Sequence, residues 1–139
     1  QVAEVEVDLD TGIVKVLRLT AVHDIGKVIN RLGAEGQVQG GLSMGLGYAL
    51  SEELLIEQGR VVNPSFREYK LITSPEVPPM EILFVESIDP EGPHGAKGIG
   101  EAPAICTAAA VANAVRHATG GKFTVLPMTP ERVYTELNR

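Results

Sequence analysis

The chain has 139 residues, about one domain's length, and its 44% hydrophobic share is enough for a modest core. Twelve basic against eighteen acidic residues leave a net charge of −6; with no basic run and no aromatic–basic interleaving, nucleic acid is not an expected partner. A single cysteine, Cys106, excludes an internal disulfide and a cysteine-built zinc or iron–sulfur centre, which suits a cytoplasmic location, and no apolar run approaches the roughly 20 residues of a membrane span.

The chain opens without Met, inside a strand-like pattern, so a piece of a longer protein is expected. Val5 to Leu9 alternates, and so does Ile13 to Val22, with Asp10-Thr11-Gly12 between them. This predicts a β-hairpin with a glycine-containing turn. In His23-Asp24-Ile25-Gly26-Lys27-Val28-Ile29-Asn30, the polar residues Asp24 and Asn30 read alone as turn formers. From Gly36 to Leu55, Val38, Leu42, Leu46, Ala49, Leu50 and Leu54 recur at helical steps. Gly40, Gly41, Gly45 and Gly47 lie inside that pattern and oppose it by roughly 4 kcal/mol at ~1 kcal/mol each. Either close helix packing or contact with a cofactor must offset them, and the pattern alone does not choose.

Leu54–Glu57 and Arg60–Val62 flank Gln58-Gly59 as a short hairpin, and Pro75, Pro78 and Pro79 mark an extended connection. Met80 to Ile88 predicts a strand with Ile82, Phe84 and Ile88 on one face. Past residue 101, Ile105, Ala108, Ala109, Ala112, Val115 and Ala118 form a helical stripe closed by Gly120-Gly121. Lys122–Leu126 suits a short strand, and Thr129-Pro130-Glu131 opens a last helix. The sum is one α+β domain over 1–139, a mixed sheet with hairpins packed against two or three helices.

The strongest functional signal is Gly92–Pro103, with Gly92, Gly95, Gly98 and Gly100 in nine positions. Such a run leaves backbone N–H groups bare and lets another molecule approach the main chain. It ends in Glu101 with Pro103 two residues on, which places one carboxylate at a helix mouth. Lys97 within the run improves the case for an anion site, although the glycine order matches neither a dinucleotide fingerprint nor a P-loop. Glu101 also has the plain alternative of a helix-start carboxylate. Cys106 is expected in the core; His23, His94 and His117 lack metal spacing, so no metal-ligand set is assigned.

Five stretches in order resemble the molybdenum subunit of the xanthine dehydrogenase/aldehyde oxidase family, in its C-terminal part. They are Asp24-Ile-Gly26-Lys-Val-Ile-Asn30, Glu35-Gly36-Gln37-Val-Gln-Gly40-Gly41, Gly45-Leu-Gly47-Tyr-Ala-Leu-Ser-Glu52-Glu53, the connection with Asn63, Phe66, Tyr69 and Pro75-Glu-Val-Pro78, and Lys97-Gly-Ile-Gly100-Glu101-Ala-Pro103. Two positions depart from the family pattern: Met44 stands where Gln is usual, and Arg31 where Pro is usual.

The resemblance implies a portion of a molybdopterin-binding domain. The cofactor would be molybdopterin with molybdenum, commonly a dinucleotide (the cytosine form) in bacterial members. The implied reaction is hydroxylation of an aldehyde or a purine-like aromatic N-heterocycle with oxygen drawn from water. Glu101 would be the general base taking the proton of the attacking hydroxyl, kept ionised by the helix mouth and Lys97. Gly36, Gln37, Gly40, Gly41, Lys97, Gly98, Ile99 and Gly100 would hold the cofactor, and no protein residue would ligate the metal. The implied partners are the rest of the molybdenum subunit and the iron–sulfur (2Fe–2S) and FAD domains or subunits. A chain completing a split subunit and a non-redox phosphate-ligand module are the alternatives. The assignment requires Glu101 to face a cavity bordered by both glycine stretches.

Overall fold

A computed structural model describes all of residues 1–139. The first hairpin forms as the alternation predicts, with β1 at Val2–Val7 and β2 at Val14–Asp24, paired antiparallel. Its turn is closed by Asp8, whose Oδ1 accepts the backbone N–H groups of Asp10 and Thr11, and by Gly12 at φ +74°. Asn30 caps α1 (Arg31–Leu50) by accepting Gly33 N–H at 3.0 Å, so the helix starts five residues before the periodic pattern does. It ends at Leu50, not Leu55, because the N–H groups of Ser51 and Glu52 both turn back to the Gly47 carbonyl.

A two-residue hairpin follows, β3 at Ile56–Glu57 and β4 at Arg60–Val61, with Gln58 and Gly59 both at positive φ as a tight hairpin turn demands. Asn63 fastens its base, accepting Leu55 N–H at 2.9 Å and donating to the Glu53 carbonyl at 2.7 Å. β5 (Met80–Val85) pairs parallel with the second half of β2, giving a mixed sheet in the order β1-β2-β5. It stops three residues short of the expected end, and Ile88 lies exposed.

Two expectations fail in the last third. The helical stripe from Ile105 to Ala118 is not one helix: α2 is a single turn, Ala102–Ile105, and α3 runs from Thr107 to Thr119 after a break at Cys106. The buried stripe of α3 is Thr107, Val111 and Val115, whereas Ile105 is exposed. Gly120 closes α3 in the left-handed conformation, as expected. Lys122–Leu126 has no strand partner and is not a strand. α4 (Pro130–Leu137) is capped by Thr129 and tied to Glu53, three residues past the end of α1, by Arg132 Nη2, which donates to both Glu53 carboxylate oxygens.

One core joins these pieces: Leu19 and Ala21 of β2, Val38, Leu42, Leu46 and Ala49 of α1, Val111 and Val115 of α3, and Met128 and Val133 at α4. The six glycines of α1 divide by surroundings. A Cβ on Gly41 would stand 2.6 Å from the Pro103 Cβ, and one on Gly45 2.5 Å from the Thr107 Cβ. Those two are required by packing of α1 against α2 and the start of α3. A Cβ on Gly36 or Gly40 would meet nothing within 4 Å.

This division is testable by urea unfolding of the chain. Gly45→Ala is expected to destabilise it by about 1–3 kcal/mol despite the better helix former, because the backbones must part. Gly36→Ala is expected to stabilise it by up to about 1 kcal/mol. Equal effects of the two substitutions would refute the packing assignment.

Candidate active site

Three chain segments meet where the sheet ends, and Asp24 holds them. Its Oδ1 accepts Gly26 N–H at 3.0 Å and Ser87 N–H at 3.2 Å, and its Oδ2 accepts Lys97 Nζ at 2.7 Å. Lys97 Nζ also lies 3.4 Å from Ser87 Oγ. The Lys97 bond, then the Gly26 bond, hold the Asp24 carboxyl down at about 2. Backbone bonds double the junction: Lys97 N–H donates to the Ile25 carbonyl at 2.8 Å, and Lys27 N–H to the Gly95 carbonyl at 2.9 Å. His94 and Gly95 are both left-handed, at φ +55° and +82°, and turn the glycine run back onto Gly26.

Beyond Lys97 the run is bare. Gly98 and Gly100 are exposed, with nothing within 4 Å of where a Cβ would be, while Ile99 between them leans on the core. Glu101 follows, exposed and without a capping bond. Two residues later Pro103 is buried against Gly41, and its carbonyl accepts Gln1 Nε2 at 2.6 Å and Thr107 Oγ1 at 2.9 Å. The Gly41–Pro103 contact therefore brings the two glycine stretches together, with Gly40 and Glu101 within two residues of it.

The sequence-derived site residues fare differently. Gly36, Gln37 and Gly40 lie exposed along one side of α1. Gly41 is buried by α2, so helix packing accounts for it. Lys97 is engaged with Asp24, so it is not a free cation beside Glu101. The helix after Glu101 is one turn long, too short to supply the expected dipole. Neither of the two main cavities reaches Glu101 or either glycine stretch. One lies between α4 and residues 122–125, the other between the start of β2 and Pro75–Pro79. The site is an open face, so the expectation that Glu101 faces a cavity bordered by both glycine stretches is not met within this chain.

Cys106 is exposed at the helix break, contrary to the expected core position. His117 is exposed in the last turn of α3, and His23 sits in the sheet with its Nε2 buried and unpartnered, burial pushing its pKa down. Asp24 and Asn30 were legible only as turn formers; the signal for more was Asp-x-Gly at the end of a long strand.

Whether a molybdopterin group suits this face is decided by the glycines. Gly36, Gly40, Gly98 and Gly100 have no packing reason within the chain, and Gly36 and Gly40 flank the exposed Gln37 on one side of α1. The main chain of Gly98–Gly100, outside helix and strand, and the neutral amide of Gln37 suit the polar edges and phosphates of such a group, while Gly36 and Gly40, whose N–H groups are used within α1, allow only its close approach. The residues fit it.

Residues 1–78 match the family model described as the molybdopterin cofactor-binding domain. Over 138 residues, 96% of this chain and 18% of the relative, the chain is 45% identical to the xanthine dehydrogenase molybdenum-binding subunit of Escherichia coli O157:H7. It is 38% identical to the aldehyde oxidoreductase of Megalodesulfovibrio gigas over 97% of the chain and 15% of that protein. The solved structure of quinoline 2-oxidoreductase from Pseudomonas putida 86 superposes with a TM-score of 0.91 at 33% identity, covering 97% of this chain and 18% of that one. The chain thus spans less than a fifth of the length of these relatives. The Glu101 run lies outside the family-model match but inside the spans shared with them.

The Asp24 junction sets an acid limit. Its folded pKa lies below the ordinary value of 3.8, so its contribution is complete above about pH 5 and is lost as pH falls towards 2. The expected result is that urea stability of the native chain falls more steeply between pH 5 and 2 than that of Asp24→Asn. Parallel acid limbs would show that the carboxylate is not clamped.

Proposed function

The chain belongs to the molybdopterin cofactor-binding domain family of xanthine dehydrogenase- and aldehyde oxidoreductase-type molybdenum subunits, and we propose that it supplies the general base and one wall of the cofactor site of such a hydroxylase. What supports this is the seating of Pro103 on the buried Gly41, which fixes the Glu101 run beside α1, the helix on whose surface Gly36 and Gly40 lie open. The substrate would be an aldehyde or an aromatic N-heterocycle, hydroxylated with oxygen from water.

When bound, the molybdenum cofactor, in a molybdopterin or cytosine-dinucleotide form, supplies the two-electron oxidation. This chain's residues do the rest. Gly98, Ile99 and Gly100 would offer main-chain N–H and carbonyl groups, Gly36 and Gly40 a helix surface without side chains that a ligand could approach closely, and Gln37 an amide that both donates and accepts. The carboxylate of Glu101 would take the proton of the attacking hydroxyl, so that the nucleophile gains charge as its bond to carbon forms. Two flanking small residues, Gly100 and Ala102, leave that carboxylate unobstructed.

The remainder of the molybdenum subunit would complete the site, with iron–sulfur and FAD groups on other domains or subunits. Leu32, Phe66 and Ile105, each at least 80% exposed, are large apolar side chains that the remainder would cover. No helix is long and apolar enough to cross a membrane. We place the assembly in the cytoplasm, in keeping with the lone thiol of Cys106.

Two outcomes test the proposal. The isolated chain is expected to turn over neither aldehydes nor N-heterocycles and to retain no molybdenum; turnover by it would overturn the division of the site. In the complete enzyme, Glu101→Gln keeps the shape and removes the base. Turnover is expected to fall by about 10²–10⁴-fold with molybdenum and pterin content unchanged, and near-normal turnover would remove Glu101 from the mechanism.

A further inference from the structure

A carboxylate between Gly100 and Ala102 has no intrinsic position, because the glycines before it restrict the backbone least of all residues. Its place must come from fixed points on either side. Downstream the fixed point is Pro103, wedged on Gly41 and bonded to Gln1. Upstream, past the partial peg of Ile99, it is Lys97, which is tied twice: its N–H to the Ile25 carbonyl at 2.8 Å and its Nζ to Asp24 Oδ2 at 2.7 Å. Asp24 in turn reaches Ser87 N–H at 3.2 Å, so one carboxylate joins the ends of β2 and β5 to the start of the bare run. Three residues separate Lys97 from Glu101.

We infer that Lys97 and Asp24 are a positioning pair for Glu101: the ion pair sets where the base loop leaves the sheet, and Lys97 acts through the loop instead of binding the cofactor. The inference rests on Glu101 being the base. The Lys97 and Asp24 side chains are each about a third exposed, so the pair is not a large stability element by itself. Its effect lies in geometry, because misplacing a reacting group by about 1 Å costs on the order of 10²-fold in rate.

The test uses the complete molybdenum enzyme. Lys97→Met is expected to lower kcat by about 10–100-fold, with KM within about twofold and with molybdenum and pterin content unchanged. Lys97→Arg, which can still reach Asp24, recovers most of kcat. Asp24→Asn gives a similar loss, and the double variant Asp24→Asn/Lys97→Met is no slower than the worse single one, as members of one unit are non-additive. If the methionine variant fails to assemble, Lys97→Gln, which keeps a donor, is expected to lose about tenfold.

Normal kcat in Lys97→Met beside an inactive Glu101→Gln overturns the positioning pair and leaves the base standing. Normal kcat in Glu101→Gln overturns both. Loss of pterin in Lys97→Met makes Lys97 a cofactor ligand and overturns the inference, as do fully additive losses in the double variant.

Discussion

The close approach of α1 to the chain between Pro103 and Thr107 governs everything downstream of it. Two helical segments can come this near only where one of them has no side chain, and Gly41 and Gly45, four residues apart on α1, supply one continuous smooth edge. Each missing methyl weakens the helix in isolation by ~1 kcal/mol. The contact returns that by burying Pro103 and Thr107 completely and by letting the Thr107 hydroxyl bond the Pro103 carbonyl. Once α2 is fixed there, α3 has one way to run, across β1, where Val111 and Val115 meet the inner face of the sheet. Gln1 then closes the circuit from the β1 end by bonding both Pro103 and Thr107.

The electrostatic layout follows from that frame. The one cation in the base loop, Lys97, is spent inside the chain on Asp24, and Lys27 pairs with Glu86 beside it. What the exposed glycines present is therefore neutral main chain with a single carboxylate at its end. A surface of this kind offers a ligand short-range contacts that demand close approach, not long-range attraction. In a chain of net charge −6 an anionic ligand gains nothing from the overall field.

The sequence was most informative where periodicity was long. The hairpin of β1 and β2, α1, β5 and α4 were all legible from alternation, helical steps or a Thr-Pro start. It was least informative where one residue type serves two purposes. Four interior glycines in α1 looked alike on paper, yet Gly41 and Gly45 answer to packing while Gly40, with Gly36, answers to nothing in the chain. Asn30 looked like any turn former because an N-cap is defined by the N–H it accepts, three residues on. The alanine-rich stripe hid a break because alanine suits either a continuous helix or two pieces; Cys106 falls in the gap and so lies outside the core. The partner of Lys97 sits 73 residues away, beyond any local pattern.

Glu101 is exposed, against the enclosed position expected of it, so its proposed role as base depends on walls that this chain does not supply. General-base chemistry needs the reacting atoms shielded from bulk water, and a carboxylate on an open face cannot provide that shield itself. The surroundings carry the means. Leu32 and Met44 on α1 and Ile105 on α2 are exposed apolar side chains around the polar strip of Gly36, Gln37 and Gly40 and the end of the glycine run. An apolar rim around bare main chain is poorly matched to water but well matched to a protein surface closing over it. Met44, standing where the family pattern has Gln, adds an apolar side chain to that rim. Under the proposed function, a surface closing over this rim would bury it and drive water from the strip.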